Sequence, residues 1–420
     1  LPIRPKEIQM ALADALRTDA DALSHELREL RHRIHRHPEV GLDLPVTQET
    51  VLGALDGLGL EITQGRALSS VTAVLRGGTG TDGAPGRRPA VLLRGDMDAL
   101  PVTEETGLDW RSEIDGAMHA CGHDLHVAML VGAARLLAAH RDALAGDVVF
   151  MFQPGEEGWN GAGYMIDEGV LDAAGPRVSS AYGMHVMSAK YPYGVFLSRP
   201  GTLMAASDEL KVTVRGVGGH GSSPHLGRDP VTAAAEMVTA LQTMVTRRFD
   251  IFDPVVVTVG LFRAGTKRNI IPDEAFFDAT VRTFSERSRD RIREEAPRLC
   301  ERIGEAHGLT VEATYLTEYP MTVNDARHTE FAAGVVAEVL GADRYRPMVD
   351  PQAGAEDFSR VLAEVPGCYL MFGASVHPDP EQAPSNHSPR AAFDDAVLAD
   401  GALVHAQLAI HALRRDAAQA

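Results

Sequence analysis

One short run, MHACGHDLHVAML, gathers Cys121, His123, Asp124 and His126. Thiolate and imidazole are the ligands that transition metals take most readily. Positions two apart do not share a helix face, so Cys121 and His123 meet at one ion only from a loop, and Gly122 supplies the turn ahead of a helix. Taken alone, the run reads equally well as a core cysteine beside surface histidines. Two further segments carry carboxylates. In VVFMFQPGEEGWNGAG an apolar strand ends at a Pro-Gly turn bearing Glu156 and Glu157, at the carboxyl end where open α/β sheets place their sites. One of the pair can bind metal while the other stays free as a base. RGDMDALP sets Asp96 and Asp98 after another strand, to ligate directly or to orient a ligand histidine through its second ring nitrogen. His185 ends the strand AYGMHV, and His387 lies in PSNHSPRAAFDD before the last helix. Each histidine alone reads as structural or exposed. Their common position, at strand ends or just before helices, is what a site assembled from distant segments has. His32 and His35 of RHRIHRHPEV share a helix face, but the arginines between them disfavour a cation, so that cluster reads as structural.

The elements behind these residues alternate. Residues 1–40 form a polar amphipathic helix, and Val71–Arg76 and Ala90–Arg94 are strands joined by the loop GGTGTDGAPGRRP. Leu125–His140 is a helix with Val127, Leu130, Val131, Ala134 and Leu137 on one stripe, followed by strands at Val148–Phe152 and Ala181–Val186. Alternating buried strands and helices predict an α/β layer with a largely parallel sheet. The pattern changes near Thr202. Strand Asp208–Arg215, helix Asp229–Val245, strands Val255–Phe262 and Ala275–Phe284, a helix capped by Ser285 and running to His307, and strand Leu309–Leu316 follow in β-α-β-β-α-β order, that of a ferredoxin-like unit. Helices Phe331–Leu340 and Phe393–Leu413 and the strand Cys368–Phe372 then resume the first pattern. The reading is one discontinuous domain, 1–201 and 320–420, interrupted by a smaller α+β domain at 202–319.

The chain has 420 residues, 45% hydrophobic and 23% charged, which is enough apolar material for a sizeable core. Lys and Arg number 40 against 58 Asp and Glu, a net charge of -18, which argues against nucleic-acid or anionic-membrane partners. Three cysteines, Cys121, Cys300 and Cys368, make no disulfide framework and suggest a reducing compartment. No transmembrane segment or secretory h-region is read, so a cytoplasmic location is expected.

The ordered set RGDMDALP, MHACGHDLH, QPGEEGWNGA, MHV, GGHGSSPH, NIIPD, GAEDFS and SNHSP, spread over nearly the whole chain, resembles the M20 metallopeptidase superfamily. Within it the match is to the subfamily D amidohydrolases, which hydrolyse N-acyl amino acids such as hippurate, auxin–amino acid conjugates and N-acetylated substrates. The resemblance implies a zinc-peptidase-like α/β catalytic domain with a mixed, largely parallel sheet and an inserted ferredoxin-like lid. It implies two divalent metals per chain, Zn or Mn first and Co or Ni also accepted, with Cys121 bridging them and His123, Glu157, His185 and His387 as the other ligands. Glu156 matches the general base and Asp98 the carboxylate behind the ligands. In the lid, His220 matches a histidine that reaches a catalytic centre, in its own chain or across a dimer, while Asn269 and Arg282 match residues that bind the substrate carboxylate. His225 receives no role. A homodimer or homotetramer through the lid is implied as well. The sequence departs from the family pattern at Leu44, where relatives usually carry an acidic residue, with Pro45 beside it, and at Gly95, where RGD replaces RAD.

The implied activity is removal of an acetyl, benzoyl or aryl-acetyl group from an amino acid by metal-activated water. Three alternatives stand: a dipeptidase or carboxypeptidase of the same fold, an amidase using Cys121 as nucleophile, and a non-catalytic binder. Trp159, just after the Glu156–Glu157 turn, is placed either on an acyl pocket or in packing.

Overall fold

The computed structural model describes residues 5–78 and 88–418. Residues 79–87, most of the tract expected to be a loop, lie outside the described residues. The chain divides into two compact units. One comprises Leu1–Gly201, Val323–Val349 and Arg360–Ala420; the other comprises Thr202–Thr322 and Asp350–Ser359. The last segment pairs with backbone of the second unit, Gln352 N donating to Leu203 O (2.8 Å) and Ala205 N to Gln352 O (3.0 Å). Those two bonds tie 350–359 to the second unit rather than to the residues around it in sequence.

The first unit is built on an eight-stranded mixed sheet. Its strands in chain order begin with β1 (Glu61–Gln64), β2 (Val71–Leu75), β3 (Ala90–Asp96), β4 (Asp147–Gln153), β5 (Ser180–Met187) and β6 (Phe196–Ser198). The short strand Tyr345–Pro347 and the fully buried strand Gly367–Gly373 complete it, in the spatial order β1, β2, β4, β3, β5, 367–373, β6, 345–347. The central strands β4, β3, β5 and 367–373 run parallel, and the pairs β1–β2, β2–β4 and 367–373 with β6 are antiparallel. Buried on both faces, β3 and β4 are near-continuous aliphatic runs, as parallel strands must be.

Helices α1 (Pro5–Arg36), α2 (Pro45–Leu55) and α3 (His123–Ala139) pack with the sheet and with the C-terminal helix Leu398–Ala417 around one apolar core. The sequence reading had no helix at α2. Pro45, whose fixed φ suits a first turn, opens it, and the fully buried Leu44 anchors its start. The last helix begins at Leu398 rather than Phe393, because the Asp394 carboxylate caps a separate short turn, Asp395–Val397. This helix is long and apolar enough to cross a membrane, but 83% of its most apolar window is buried inside the unit. It is a core helix.

The second unit has a four-stranded antiparallel sheet in the order 255–264, 274–283, 206–215, 310–319. The helices Pro230–Arg248 and Glu286–Ala306 bury one face of it, over Leu210, Val212, Val214, Phe277 and Val281. Asp229 caps the first helix through Val231 N, and Ser285 caps the second through Ser288 N. The order is β-α-β-β-α-β, as expected.

Candidate metal centre

From β3 the chain passes through α3 to β4 on one side and then returns to β5 on the other side of β3. Strand order reverses at that point, and a crevice opens at the carboxyl ends. Asp96 ends β3 and Asp98 lies just past it, Glu156 and Glu157 follow β4, and His185 lies near the end of β5. Cys121 and His123 flank the start of α3, where Gly122 takes φ +87°. A Cβ at Gly122 would also meet Val186 Cγ2 at 2.4 Å, so the turn needs glycine for both shape and space. His387 reaches the crevice from a loop, its own φ at +70°.

The five proposed ligands converge. Cys121 Sγ lies 3.3 Å from His185 Nε2 and 3.2 Å from His387 Nε2. His387 Nε2 is also 3.2 Å from Glu157 Oε1, and His123 Nε2 is 4.0 Å from that oxygen. The donor atoms fall into overlapping triples: Cys121, His123 and His185; Cys121, Glu157 and His387; His123, Glu156 and Glu157. Cys121 is the corner common to the first two.

Hydrogen bonds fix which ring nitrogen faces inward. His123 Nδ1 donates to Asp98 O (2.8 Å) and His185 Nδ1 to Val186 O (2.8 Å), which leaves each Nε2 lone pair for a metal. His123 Nε2 is buried with no hydrogen-bond partner, and Glu157 Oε1, also buried, has His387 as an ion-pair contact. Buried polar atoms are rarely orphaned, and an unpaired imidazole nitrogen at the focus of a Cys/His/Glu set is what a divalent cation satisfies. The residues therefore fit a metal.

His126 is not among them, since both its nitrogens are spent. Val186 N donates to Nε2 (2.8 Å), so Nδ1 carries the proton and donates to Asp96. Asp96 is further paired to Arg94. Burial alone would raise its pKa, but Arg94, His123 and His126 hold it well below the usual carboxylate range. Asp98 ligates nothing directly. Its two oxygens accept Glu156 N and Glu157 N, each at 3.0 Å, so the side chain clamps the turn that carries both glutamates.

The electrostatics are those of a site built around positive charge. Burial, then Glu157 and Glu156, push the Cys121 thiol well above its ordinary pKa. Burial presses His123 down, but Asp96, Asp98 and Glu157 overcome it and raise the group to about 10. Burial lowers His185 to about 3. A cation at this point reverses the first two tendencies and releases protons as it binds.

The expectation that the early histidines are structural agrees with their contacts. Arg31 and His35 both bond the buried Asp124, and Trp110 stacks on His32 at 4.1 Å between centroids. Sequence reasoning missed Asn386. Its Nδ2 donates to Cys121 O (3.1 Å) and Val186 O (3.0 Å), and its Oδ1 accepts from Ser188 N (2.9 Å). It latches the His387 loop to the segments bearing Cys121 and His185. Its place between Ser385 and His387, in a Pro-flanked turn, was the available signal.

In the second unit His220 lies opposite Ile270 in a two-stranded ribbon, and Gly221 N donates to Asn269 O (2.9 Å), so His220 and Asn269 are neighbours. Ser222 N donates to His220 Nδ1 (3.2 Å), which makes Nδ1 an acceptor and leaves Nε2–H as a free donor. Arg282 stands elsewhere, on strand 274–283, with Nη1 bonded to Ser207 Oγ (2.9 Å) and Thr280 Oγ1 (2.6 Å). His225 sits in the short turn Pro224–Leu226.

The model of peptidase family M20/M25/M40 matches residues 92–411. The chain is 37% identical over 405 residues to thermostable carboxypeptidase 1 of Saccharolobus solfataricus, covering 96% of this chain and 99% of that one. It is 33% identical over 393 residues to the N-acetylcysteine deacetylase of Bacillus subtilis, covering 93% and 98%. Among solved structures it matches the Bacillus subtilis YxeP protein, described as a dinuclear metal binding peptidase from the M20 family. That match has a TM-score of 0.77 and 30% identity, over 94% of this chain and 99% of that one.

Proposed function

The chain belongs to peptidase family M20/M25/M40 and is a metal-dependent hydrolase of amide bonds; from that premise we propose that its substrates are N-acyl amino acids, cleaved to a free acid and an amino acid. The observation that carries the reading is Cys121, shared by two ligand triples, beside a turn that offers one glutamate as ligand and a second as base. Cys121, His123, Glu157, His185 and His387 would hold two divalent ions, Zn or Mn first and Co or Ni also. Such a pair, when bound, supplies an acidified water and a clamp on the carbonyl oxygen.

The protein's own groups do the rest. Glu156 takes a proton from the attacking water and delivers it to the leaving amine nitrogen. Asp98 holds Glu156 and Glu157 in register through their backbone amides. His220, with Nε2–H free, donates to the developing oxyanion, an interaction often worth about 3 kcal/mol. Asn269, beside His220, is the proposed partner of the substrate carboxylate, and Arg282, on a separate strand, is a second candidate that would act through a charge-assisted pair. The deacetylase relative supports an N-acyl substrate. The carboxypeptidase relative supports a second reading, in which the acyl half is itself an amino acid and the same residues hold the C-terminal carboxylate. A homodimer or homotetramer through the second unit, a cytoplasmic location, and no nucleic-acid or membrane partner complete the proposal.

The test is Glu156→Ala. Turnover of N-acetyl and N-benzoyl amino acids should fall by about 10²-fold or more, as loss of a general base does, while metal per chain, read by mass spectrometry, stays near the wild-type value. Most activity retained in the variant would sink the mechanism. Activity that survives chelation and is lost only on alkylation of Cys121 would favour the cysteine nucleophile.

A further inference from the structure

A cavity of about 430 Å³ opens within the first unit beside the metal centre, and Glu157 lines it. Its other walls are Val40, Ala99, Leu100, Pro101 and Trp159. The floor is fixed by backbone pairing: Val40 bridges Ala99, and Ala99 N donates to Glu39 O (2.7 Å). Ala99 directly follows Asp98, the side chain that clamps Glu156 and Glu157, so the cavity and the catalytic turn hang on the same few residues. Trp159 packs its ring over Gly41, where a Cβ would come within 3.3 Å of Trp159 Cε2. The indole is still 51% exposed and Val40 37%.

Apolar side chains held open at the rim of a polar centre are what a ligand subsite presents, and the volume lies in the range of small-molecule pockets, roughly 300–1,000 Å³. Apart from Glu157 the walls carry no charge. A group entering here loses water to aliphatic and aromatic surface and gains no partner for a carboxylate or ammonium, so charged groups are disfavoured. A planar ring gains offset or edge contact with the indole.

We infer that this cavity receives the acyl group and selects aromatic acyl groups, of benzoyl or aryl-acetyl type, over acetyl. The inference rests on the N-acyl amino acid reading and sharpens it. Trp159 is a specificity residue in this account.

The experiment compares N-benzoylglycine with N-acetylglycine on the metal-loaded wild type, Trp159→Ala and Val40→Phe, with metal per chain measured in each. The first variant removes the aromatic wall, and the second fills the cavity from the opposite side. In both, the ratio of kcat/KM for benzoyl over acetyl should drop about 10-fold, the scale on which apolar pocket contacts discriminate, chiefly through KM. In the inactive Glu156→Ala protein, N-benzoylglycine should also change the Trp159 fluorescence, and N-acetylglycine should not. A benzoyl-to-acetyl ratio that stays constant in both variants overturns the inference, even if total activity falls. A wild type that hydrolyses neither compound overturns the underlying reading instead, and that is visible before any variant is made.

Discussion

At the scale of single residues, the arrangement separates atoms that hold metal from atoms that hold the holders. Asn386 belongs to the second group, and its value follows from its bonds to Cys121 O, Val186 O and Ser188 N. Asn386→Ala removes all of them and frees a loop whose His387 already sits at a φ that L-residues disfavour by about 1–2 kcal/mol. Groups that orient ligands typically contribute 10–100-fold to metal affinity, so a competition titration with a coloured chelator should show weakening on about that scale. His387→Ala should weaken binding at least as much, and an Asn386→Ala protein that binds metal normally contradicts the latch. Candidate ligand types stood out in the sequence because Cys, His and paired Glu are rare in apolar surroundings. The latch was not, since nothing in an isolated asparagine says that its amide bonds segments 265 and 200 positions away. The spent nitrogens of His126 were equally hidden, because they depend on a backbone N–H from β5.

Among the elements, the longer strands were read closely, as β-branched and aliphatic runs closed by Gly or Pro, while short ones such as β1, β6 and 345–347 were not read at all. α2 escaped because it is short, mixes Thr, Gln and Gly, and has no clean apolar stripe; tertiary packing of Thr47, Val51 and Leu55 makes it a helix. Of the two caps in the second unit, Ser285 was readable, whereas Asp229 was read as part of its helix. Asp229 bonds Val231 N at 2.9 Å ahead of Pro230, so Asp229→Ala should cost about 1 kcal/mol, measured by denaturant unfolding. A loss below a few tenths would show that Pro230 alone sets that end. Gly95 acts at this scale too. A Cβ there would lie 2.9 Å from His126 O, so the RGD form lets α3 lie close against β3, and an RAD chain must shift one of them.

For the whole molecule, the two units differ in what sustains them. The second has an apolar core of its own and none of the proposed metal ligands. The first binds any metal with groups from four separate segments, and a ligand that binds only the folded state stabilises it by mass action, about 2.7 kcal/mol at one hundred times its Kd. Chelation should therefore lower the melting temperature of the transition that reports the first unit and leave the other nearly unmoved, a difference that scanning calorimetry resolves. A single transition unaffected by chelator would argue against a structural share for the metal. Domain alternation and net charge were visible from the outset. The grouping of 350–359 with the second unit was not, because backbone bonds such as Gln352 N to Leu203 O carry no sequence signal.

The position of His387 also sets a clock. The other proposed ligands, Cys121, His123, Glu157 and His185, are made first; then the whole inserted unit is synthesised, and His387 emerges 202 residues after His185. At about 5–20 residues per second this interval is roughly 10–40 s. Through that time a growing chain lacks the side chain that completes the triple of Cys121, Glu157 and His387. With His387 the last of the proposed ligands to be made, commitment to a particular metal is expected at the end of synthesis, after the fold around the earlier ones has had time to form.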